Sequence, residues 1–308
     1  ENGLSHSVQN DAGRGIIVVE KPHTVIFPIE VCAVTAEEAR ARSEEEWKRI
    51  KEYTDVHGYP VIITEDRWRS QRNMMEARLL AHLEVFLPVY ARNCEIRKID
   101  KAEAAAFLEA NHSYGDAACR YRYGMFLRRH TGWRSQIQLS NPDQEKNTEQ
   151  NCNIREALKP GTLIAVAEFS NARKWIKGDK TIRSYEWTRY ASLPGVRING
   201  GMGKMLKHFI KEVQPDDIMS YADLEWSEGA VYEQLGFTLE GKKEAVSFII
   251  DCNTWERNAI RDSSPTHFTS ILDSGCPQEE TEGTEKEYIR FFRNLGSNKY
   301  RLKLTDYQ

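Results

Sequence analysis

Two kinds of residue in this chain could do chemistry: glycines placed to admit a phosphate, and isolated titratable side chains placed to move a proton. Gly200-Gly201-Met202-Gly203-Lys204-Met205-Leu206 joins a strand-like run, Tyr185 to Ala191, to an apolar-striped helix, Gly201 to Val213. Glycines at a helix entrance let the backbone approach a ligand closely, and the free N–H groups with the positive end of the macrodipole favour a phosphate. The spacing is neither G-x-G-x-x-G nor a P-loop, so both common nucleotide fingerprints are excluded, and a tight turn with close helix packing explains the glycines equally well. Asp223 directly follows the strand-like run Asp217 to Ala222, at the carboxyl end where open α/β sheets place ligands. His112 stands at a helix end with Tyr114 close by and can accept a proton near neutral pH, although a histidine in that place also serves as a cap. Glu186 and Arg189, three apart on a strand, face opposite sides and do not form one unit.

The elements that must position these groups fall into two α/β patterns. Residues 1 to 15 are polar with three glycines and read as a flexible arm. Strands are expected at Ile16 to Val19, Val25 to Val31 and Val61 to Ile63, with a helix from Thr35, whose Glu38 completes a capping box, and another from Trp68 to Leu83. The pattern restarts at Cys94. A strand to Ile99, a helix capped by Asp100, strands at Tyr123 to Leu127, Thr162 to Phe169 and Tyr185 to Ala191, the glycine-led helix, the strand before Asp223, a helix from Gly229 to Leu235 and a last strand at Ala245 to Ile250 follow in order. Residues 140 to 156 read as a polar insertion. The expected organisation is an arm at 1–15, a small α/β unit at 16–93, a larger α/β domain at 94–261, and at 262–308 a linker followed by a helix and a strand.

At 308 residues, with 40% hydrophobic and 29% charged side chains, the chain fits a globular protein, and no apolar run approaches the roughly 20 residues that span a bilayer, so no membrane partner is expected. The net charge of -3 conceals basic blocks: Arg120, Arg122, Arg128, Arg129, His130 and Arg134, then Arg173, Lys174, Lys177, Lys180 and Arg183. Arg120, Arg122, Arg128, Arg129, Arg173 and Lys174 are the candidates for contact with DNA or RNA phosphates, against the plain alternative of a solvated face. Six scattered cysteines lack C-x-x-C spacing, which points to no metal site and to a reducing compartment such as the cytoplasm. The chain opens on Glu1 rather than Met, which leaves a removed leader and organellar targeting open.

The glycine turn and a second stretch, Ser227-Glu228-Gly229-Ala230-Val231-Tyr232-Glu233-Gln234-Leu235-Gly236-Phe237, together resemble the GNAT superfamily of N-acyltransferases. Gly201 and Gly203 match the glycine pair of the family's phosphate-binding motif; its Arg or Gln would fall at Ile198, with Arg197 one place early. The second stretch is close to the family's A-x-x-x-Y-x-x-x-G-F pattern, with Tyr232 at the tyrosine. The resemblance implies a GNAT-like mixed sheet flanked by helices, preceded by the small α/β unit, and acetyl-CoA or another acyl-CoA as co-substrate. It draws Arg197, Gly200, Gly201, Met202, Gly203 and Lys204 into the cofactor site, with the pyrophosphate on the N–H groups from Gly201 to Lys204. Tyr232 would return a proton to the departing thiolate, while Asp223 or His112 would take one from the acceptor amine.

A narrower likeness over residues 107 to 250 is to the Mom-like DNA-modifying proteins of phages and to GNAT-like domains in phage homing-endonuclease-like proteins. It rests on Asn111-His112-Ser113-Tyr114, Glu186-Trp187-Thr188-Arg189, Ser220-Tyr221-Ala222-Asp223 and Gly229-Ala230-Val231-Tyr232, and implies an amine on nucleic acid as acceptor. Thr64-Glu65-Asp66-Arg67-Trp68 with Met75 to Leu80 looks like the end of a very-short-patch-repair-like nuclease. Glu30 is followed by Val31-Cys32 where such a nuclease needs a lysine, so the expectation is a degenerate remnant used for docking. The readings that remain are an N-acyltransferase and a non-catalytic protein that binds nucleic acid or joins an assembly.

Overall fold

A computed structural model describes residues 4–11, 13–129, 158–260 and 288–307. The expected insertion at 140–156 and linker at 262–284 lie outside these. Strands β1 (His6–Asp11), β2 (Arg14–Val19) and β3 (Thr24–Ile29) form an antiparallel meander, and helix α1 (Ala36–His57) crosses to β4 (Val61–Thr64), parallel to β3. The flexible arm is therefore corrected over half its length: β1 pairs along all of β2, from His6 opposite Val19 to Asp11 opposite Arg14. Thr35 caps α1 by accepting the Glu38 N–H at 3.1 Å, while the Glu38 carboxylate turns back to the Val34 N–H rather than to Thr35. The single helix expected from Trp68 to Leu83 is broken at Gln71 into α2 (Glu65–Ser70) and α3 (Arg72–His82).

After β5 (Leu87–Tyr90) the second pattern begins with β6 (Cys94–Lys98), α4 (Lys101–Asn111), β7 (Tyr121–Leu127), β8 (Leu163–Phe169), β9 (Arg173–Lys177) and β10 (Lys180–Ser192). It continues through β11 (Val196–Asn199), α5 (Gly201–Val213), β12 (Asp217–Asp223), α6 (Ala230–Gln234) and β13 (Thr238–Lys243). Three further strands, β14 (Ser247–Asp251), β15 (Arg257–Ala259) and β16 (Ile289–Arg293), precede the last, β17 (Ser297–Lys303). The large sheet runs β13-β17-β12-β10-β8-β7-β6, with β10 parallel to β12 and the other neighbours antiparallel. It is a mixed sheet flanked by helices, as expected for the α/β class. Helix α5 buries Gly201, Met205, Leu206 and Phe209 along one stripe, and Phe209 stacks on Phe169 of β8 with centroids 3.9 Å apart.

Two strand assignments change. Ala245 to Ile250, expected to close the large sheet, instead supplies β14, the centre of a separate sheet ordered β15-β14-β16. Its Phe248 and Ile250, with Phe292 of β16, share a core with Phe27, Ile50 and Ile62 of the N-terminal unit. The edge beyond β12 is formed by β13, with β17 inserted between the two, so the C-terminal helix and strand expected in 288–304 are two strands, and the second lies inside the sheet. Period-2 burial decides this: Tyr300 of β17 is 2% exposed and stacks on Tyr232, while Arg301 ion-pairs with fully buried Asp217 at 2.8 Å.

Gly229, at the entrance of α6, holds φ = 100°, and a methyl group there would collide with the Tyr300 ring and stand 2.9 Å from Ala222 Cβ. Gly229→Ala is expected to destabilise the protein by about 2 kcal/mol or more through strain and overpacking, read as a lower urea midpoint at unchanged slope.

Candidate active site

The parallel pairing of β10 with β12 covers only Ser184–Asp217, Tyr185–Ile218 and Glu186–Met219. Beyond it the two strands part, and β10 bulges against β8 between Trp187 and Arg189. A main-chain carbonyl freed by such parting needs another donor. Ser220 Oγ supplies one, donating to the Trp187 carbonyl at 2.8 Å, and it also shares a 2.8 Å hydrogen bond with Tyr232 Oη. The Tyr232 ring stacks on Tyr300 and meets Trp187 and Phe237 edge-on, so it is at once a core aromatic and the owner of a hydroxyl at the parting point. Burial pushes its phenol pKa up, against the opposing Ser220 hydrogen bond, and keeps it protonated at neutral pH.

Aromatic contacts run from the parting point to the glycine turn. Trp187 lies edge-on to Tyr190, with centroids 6.0 Å apart, and the Tyr190 hydroxyl would stand 2.8 Å from a Cβ at Gly201. Gly200 enters α5 at φ = 75°, in the left-handed region, and no side chain caps the helix. The Lys204 N–H is taken by the Gly200 carbonyl at 3.0 Å, which leaves the N–H groups of Gly201, Met202 and Gly203 as the helix's free donors. Lys204 is thus corrected as a phosphate donor: its N–H is inside the helix, and its Nζ donates to the carbonyls of Ala91, at 2.9 Å, and Cys94. Arg197 is exposed, with its guanidinium 5.1 Å from the centre of the Phe86 ring.

Asp223 and His112 do come together, through a loop that crosses the strand ends. Tyr114 Oη donates to Asp223 Oδ2 at 3.0 Å, and Arg189 Nε donates to the Gly115 carbonyl at 3.0 Å. Asp116, next in the loop, adds its charge to Glu168 of β8, which is fully buried and paired with Arg122 at 3.1 Å. Burial first, and Asp116 second, raise Glu168 to about 7. The expected role of His112 is revised. Burial, then the charges of Arg189 and Arg67, lower it to about 4, and its Nδ1 accepts the Tyr114 N–H at 3.1 Å. It is a neutral turn-forming residue rather than a base poised near neutral pH.

Outside the loop stands a buried charge network that joins the three parts of the fold. Arg67 of α2 lies 3.4 Å from Asp223 and 3.2 Å from Glu225. Arg257 of β15 reaches Glu225 at 2.8 Å and Thr64 Oγ1 at 2.9 Å, and it also grips Asp66 with two nitrogens. Arg78 of α3 donates to the carbonyls of Glu225 and Trp226, both at 2.9 Å. Sequence reasoning noticed Asp66-Arg67 and Ser220 only inside longer likenesses, and Glu168, Tyr190, Glu225 and Arg257 carried no signal of spacing.

The basic candidates separate. Arg122 is held by Glu168, whereas Arg120, Arg128, Arg129, Arg173 and Lys174 are exposed; His130 and Arg134 lie outside the described residues. No described helix is long and apolar enough to cross a membrane.

No family model matches the chain, and no curated protein matches it. Among solved structures it is similar to the crystal structure of Eis1 from Mycobacterium abscessus, at 13% identity and a TM-score of 0.31, over 50% of this chain and 33% of that one. A likeness of that size decides nothing about chemistry, and none of the comparisons supports the Mom-like or very-short-patch-repair-like details.

Two outcomes follow from this geometry. His112 and His82 both sit at about 4 against an ordinary 6.5, so the unfolded chain binds protons more strongly between those values. Their contribution is therefore intact above pH 6.5 and lost as the pH falls toward 4. His112→Asn, whose Oδ1 can still accept the Tyr114 N–H, should show a smaller drop in urea midpoint between neutral and acid pH than the parent. Glu225→Gln leaves Arg67 and Arg257 short of a counter-charge and should cost about 3 kcal/mol or more in the same measurement at neutral pH.

Proposed function

We propose that the chain is an acyl-CoA-dependent N-acyltransferase whose acceptor is an amine on nucleic acid. The observation that carries the transferase part is the parting of β10 and β12, with the free N–H groups of the glycine turn at one side and the Tyr232 hydroxyl at its apex. The turn suits a phosphate by charge, through the free N–H groups of a helix start, while packing also demands its glycines, since a Cβ at Gly201 would meet Tyr190 and one at Gly203 would stand 3.3 Å from Leu235. Gly201, Met202 and Gly203 would hold the pyrophosphate, and the thioester supplies an activated acyl group.

The proton path uses this chain's own residues. Tyr232, kept protonated by its surroundings, is placed to give a proton to a leaving thiolate and recovers it through Ser220 or water. Asp223, oriented by Tyr114 and Arg67, is the group that takes the proton from the acceptor. A nucleic-acid acceptor is supported by the exposed basic residues and by the likeness of the motifs around His112, Arg189 and Asp223. The non-catalytic reading has one observation in its favour: the Arg197 guanidinium lies over the Phe86 ring, and the Lys204 ammonium is taken by the carbonyls of Ala91 and Cys94.

Titration calorimetry with acetyl-CoA and CoA separates the two readings. Binding, together with a rise in thermal midpoint, is the expected result, and no heat and no shift at millimolar ligand would end the transferase reading. Radiolabelled acetyl transfer to DNA, RNA or free polyamine then identifies the acceptor. With that acceptor, Tyr232→Phe and Asp223→Asn should each lower turnover about tenfold or more while leaving affinity for CoA nearly unchanged.

A further inference from the structure

Strand β9 pairs only with β10, from Lys177 opposite Lys180 to Arg173 opposite Ser184. The pairing of β10 with β12 starts only at Ser184, and that with β8 only at Trp187. Residues 173–177 and 180–183 therefore form a two-stranded ribbon that stands clear of the sheet, closed by a two-residue turn in which Gly178 holds φ = 56°. Its base is anchored: Ile182 is buried, and Trp175 packs edge-on against Tyr307 with centroids 5.3 Å apart.

Beyond the base the ribbon is cationic. Residues 173–183 hold five cations, Arg173, Lys174, Lys177, Lys180 and Arg183, against one acid, Asp179; Arg183 is ion-paired with Asp216 at 3.6 Å, and Lys180 Nζ donates to the Asp306 carbonyl at 2.9 Å. Lys174 and Lys177 have no carboxylate partner among the described residues, and Arg173 has only a 3.8 Å approach to Glu186. By alternation Lys174 and Ile176 share the outer face, and Ile176 at its crest is 78% exposed. Lysines alone would keep a free edge from pairing with another chain, but that purpose gains nothing from an isoleucine presented to water.

We propose that this ribbon is an anchoring arm for B-form DNA. Paired strands lie about 4.8 Å apart, and a B-form major groove about 12 Å wide admits a two-stranded ribbon, whereas the deep, narrow A-form groove of an RNA duplex does not. In that groove Lys174, on the face of Ile176, meets phosphates of one wall, Lys177, beside the turn and on the opposite face, reaches phosphates from the ribbon's end, and Ile176 meets thymine methyl groups on the floor. The crest lies roughly 25 Å along β10 from Arg189 at the usual strand rise, so the arm holds the duplex at a distance from Asp223 and Tyr232. It goes beyond the transferase reading and requires nothing of those residues.

Fluorescence anisotropy on the full chain tests it, with labelled probes of about 20 base pairs of DNA, an RNA duplex of the same sequence, and the single DNA strand, each between about 50 and 200 mM salt. The DNA duplex should bind tightest. Lys174→Glu with Lys177→Glu should weaken it tenfold or more and lower the logarithmic salt slope by about 2, one for each phosphate no longer neutralised. Ile176→Ala should weaken it several-fold without changing the slope. An unchanged affinity and slope in the double variant, or an RNA duplex or single strand bound as tightly as the DNA duplex, would overturn the proposal. All three positions are exposed, so the variants should keep the parent's thermal midpoint. Acetyl-CoA titrated into the same proteins keeps the two readings apart: DNA binding without acetyl-CoA binding upholds the arm and removes the transferase.

Discussion

Glu225 is a carboxylate taken wholly out of water between two guanidiniums, and much of the rest of the molecule is arranged so that this is tolerable. Burial pushes its pKa up, against the opposing charges of Arg257 and Arg67. A buried ion that loses a partner costs several kcal/mol, so each member binds the others to their places. The partners come from distant parts of the chain: Arg67 and Asp66 from α2, Glu225 from the segment after β12, Arg257 from β15. Joining them requires the N-terminal unit, the large sheet and the small sheet to dock as one. Asp223, two residues before Glu225, is oriented by the same Arg67, which places an N-terminal side chain beside the candidate chemistry.

The inserted strand β17 has a similar consequence on the other side of the site. Tyr300 stacks on Tyr232, and Arg301 neutralises Asp217, the residue at which β10 and β12 are still paired. The apex of the gap is thereby bounded by strands from three separate stretches of sequence. Between β13 and β17 the chain leaves to build β14 and β16, whose aromatics fill the core beneath α1. The N-terminal unit is thus completed by residues from far along the chain, as in the hydrogen bond from Ser43 Oγ to the Asn294 carbonyl, 251 positions later.

A helix-entrance site and a tyrosine at a strand gap are both places where main-chain groups are left unpaired for a physical reason. At α5 the first N–H groups have no earlier carbonyl to reach; between β10 and β12 the parallel ladder stops. Ser220 repairs one of these losses and in doing so fixes the Tyr232 hydroxyl. Asp116, in the loop that carries Tyr114, stands against buried Glu168 as a further acidic pair, and Arg122 pairs with Glu168.

What the sequence determined by itself was local. The glycine turn, the Thr35 and Asp100 caps, the apolar stripe of α5 and the motif around Tyr232 were legible because turn conformation, capping and 3.6-residue periodicity are written in neighbouring residues. Strands β6, β7, β8, β10 and β12 followed from the same kind of pattern, whereas β1, β5, β9 and β11 were not expected. The place of the last strand did not follow, because Ala245 to Ile250 is the more apolar run of the two and Ser297 to Lys303 offers only Tyr300 and Leu302, and only Asp217 and Tyr232 waiting across the sheet choose between them. The charge on His112 was likewise undecidable locally: the burial and the two arginines that depress it come from elements brought in by tertiary packing. Glu225 and Arg257 carried no mark in the chain, and Arg67 only that of a longer likeness, since the desolvation that makes them matter exists only once the three units have closed over them.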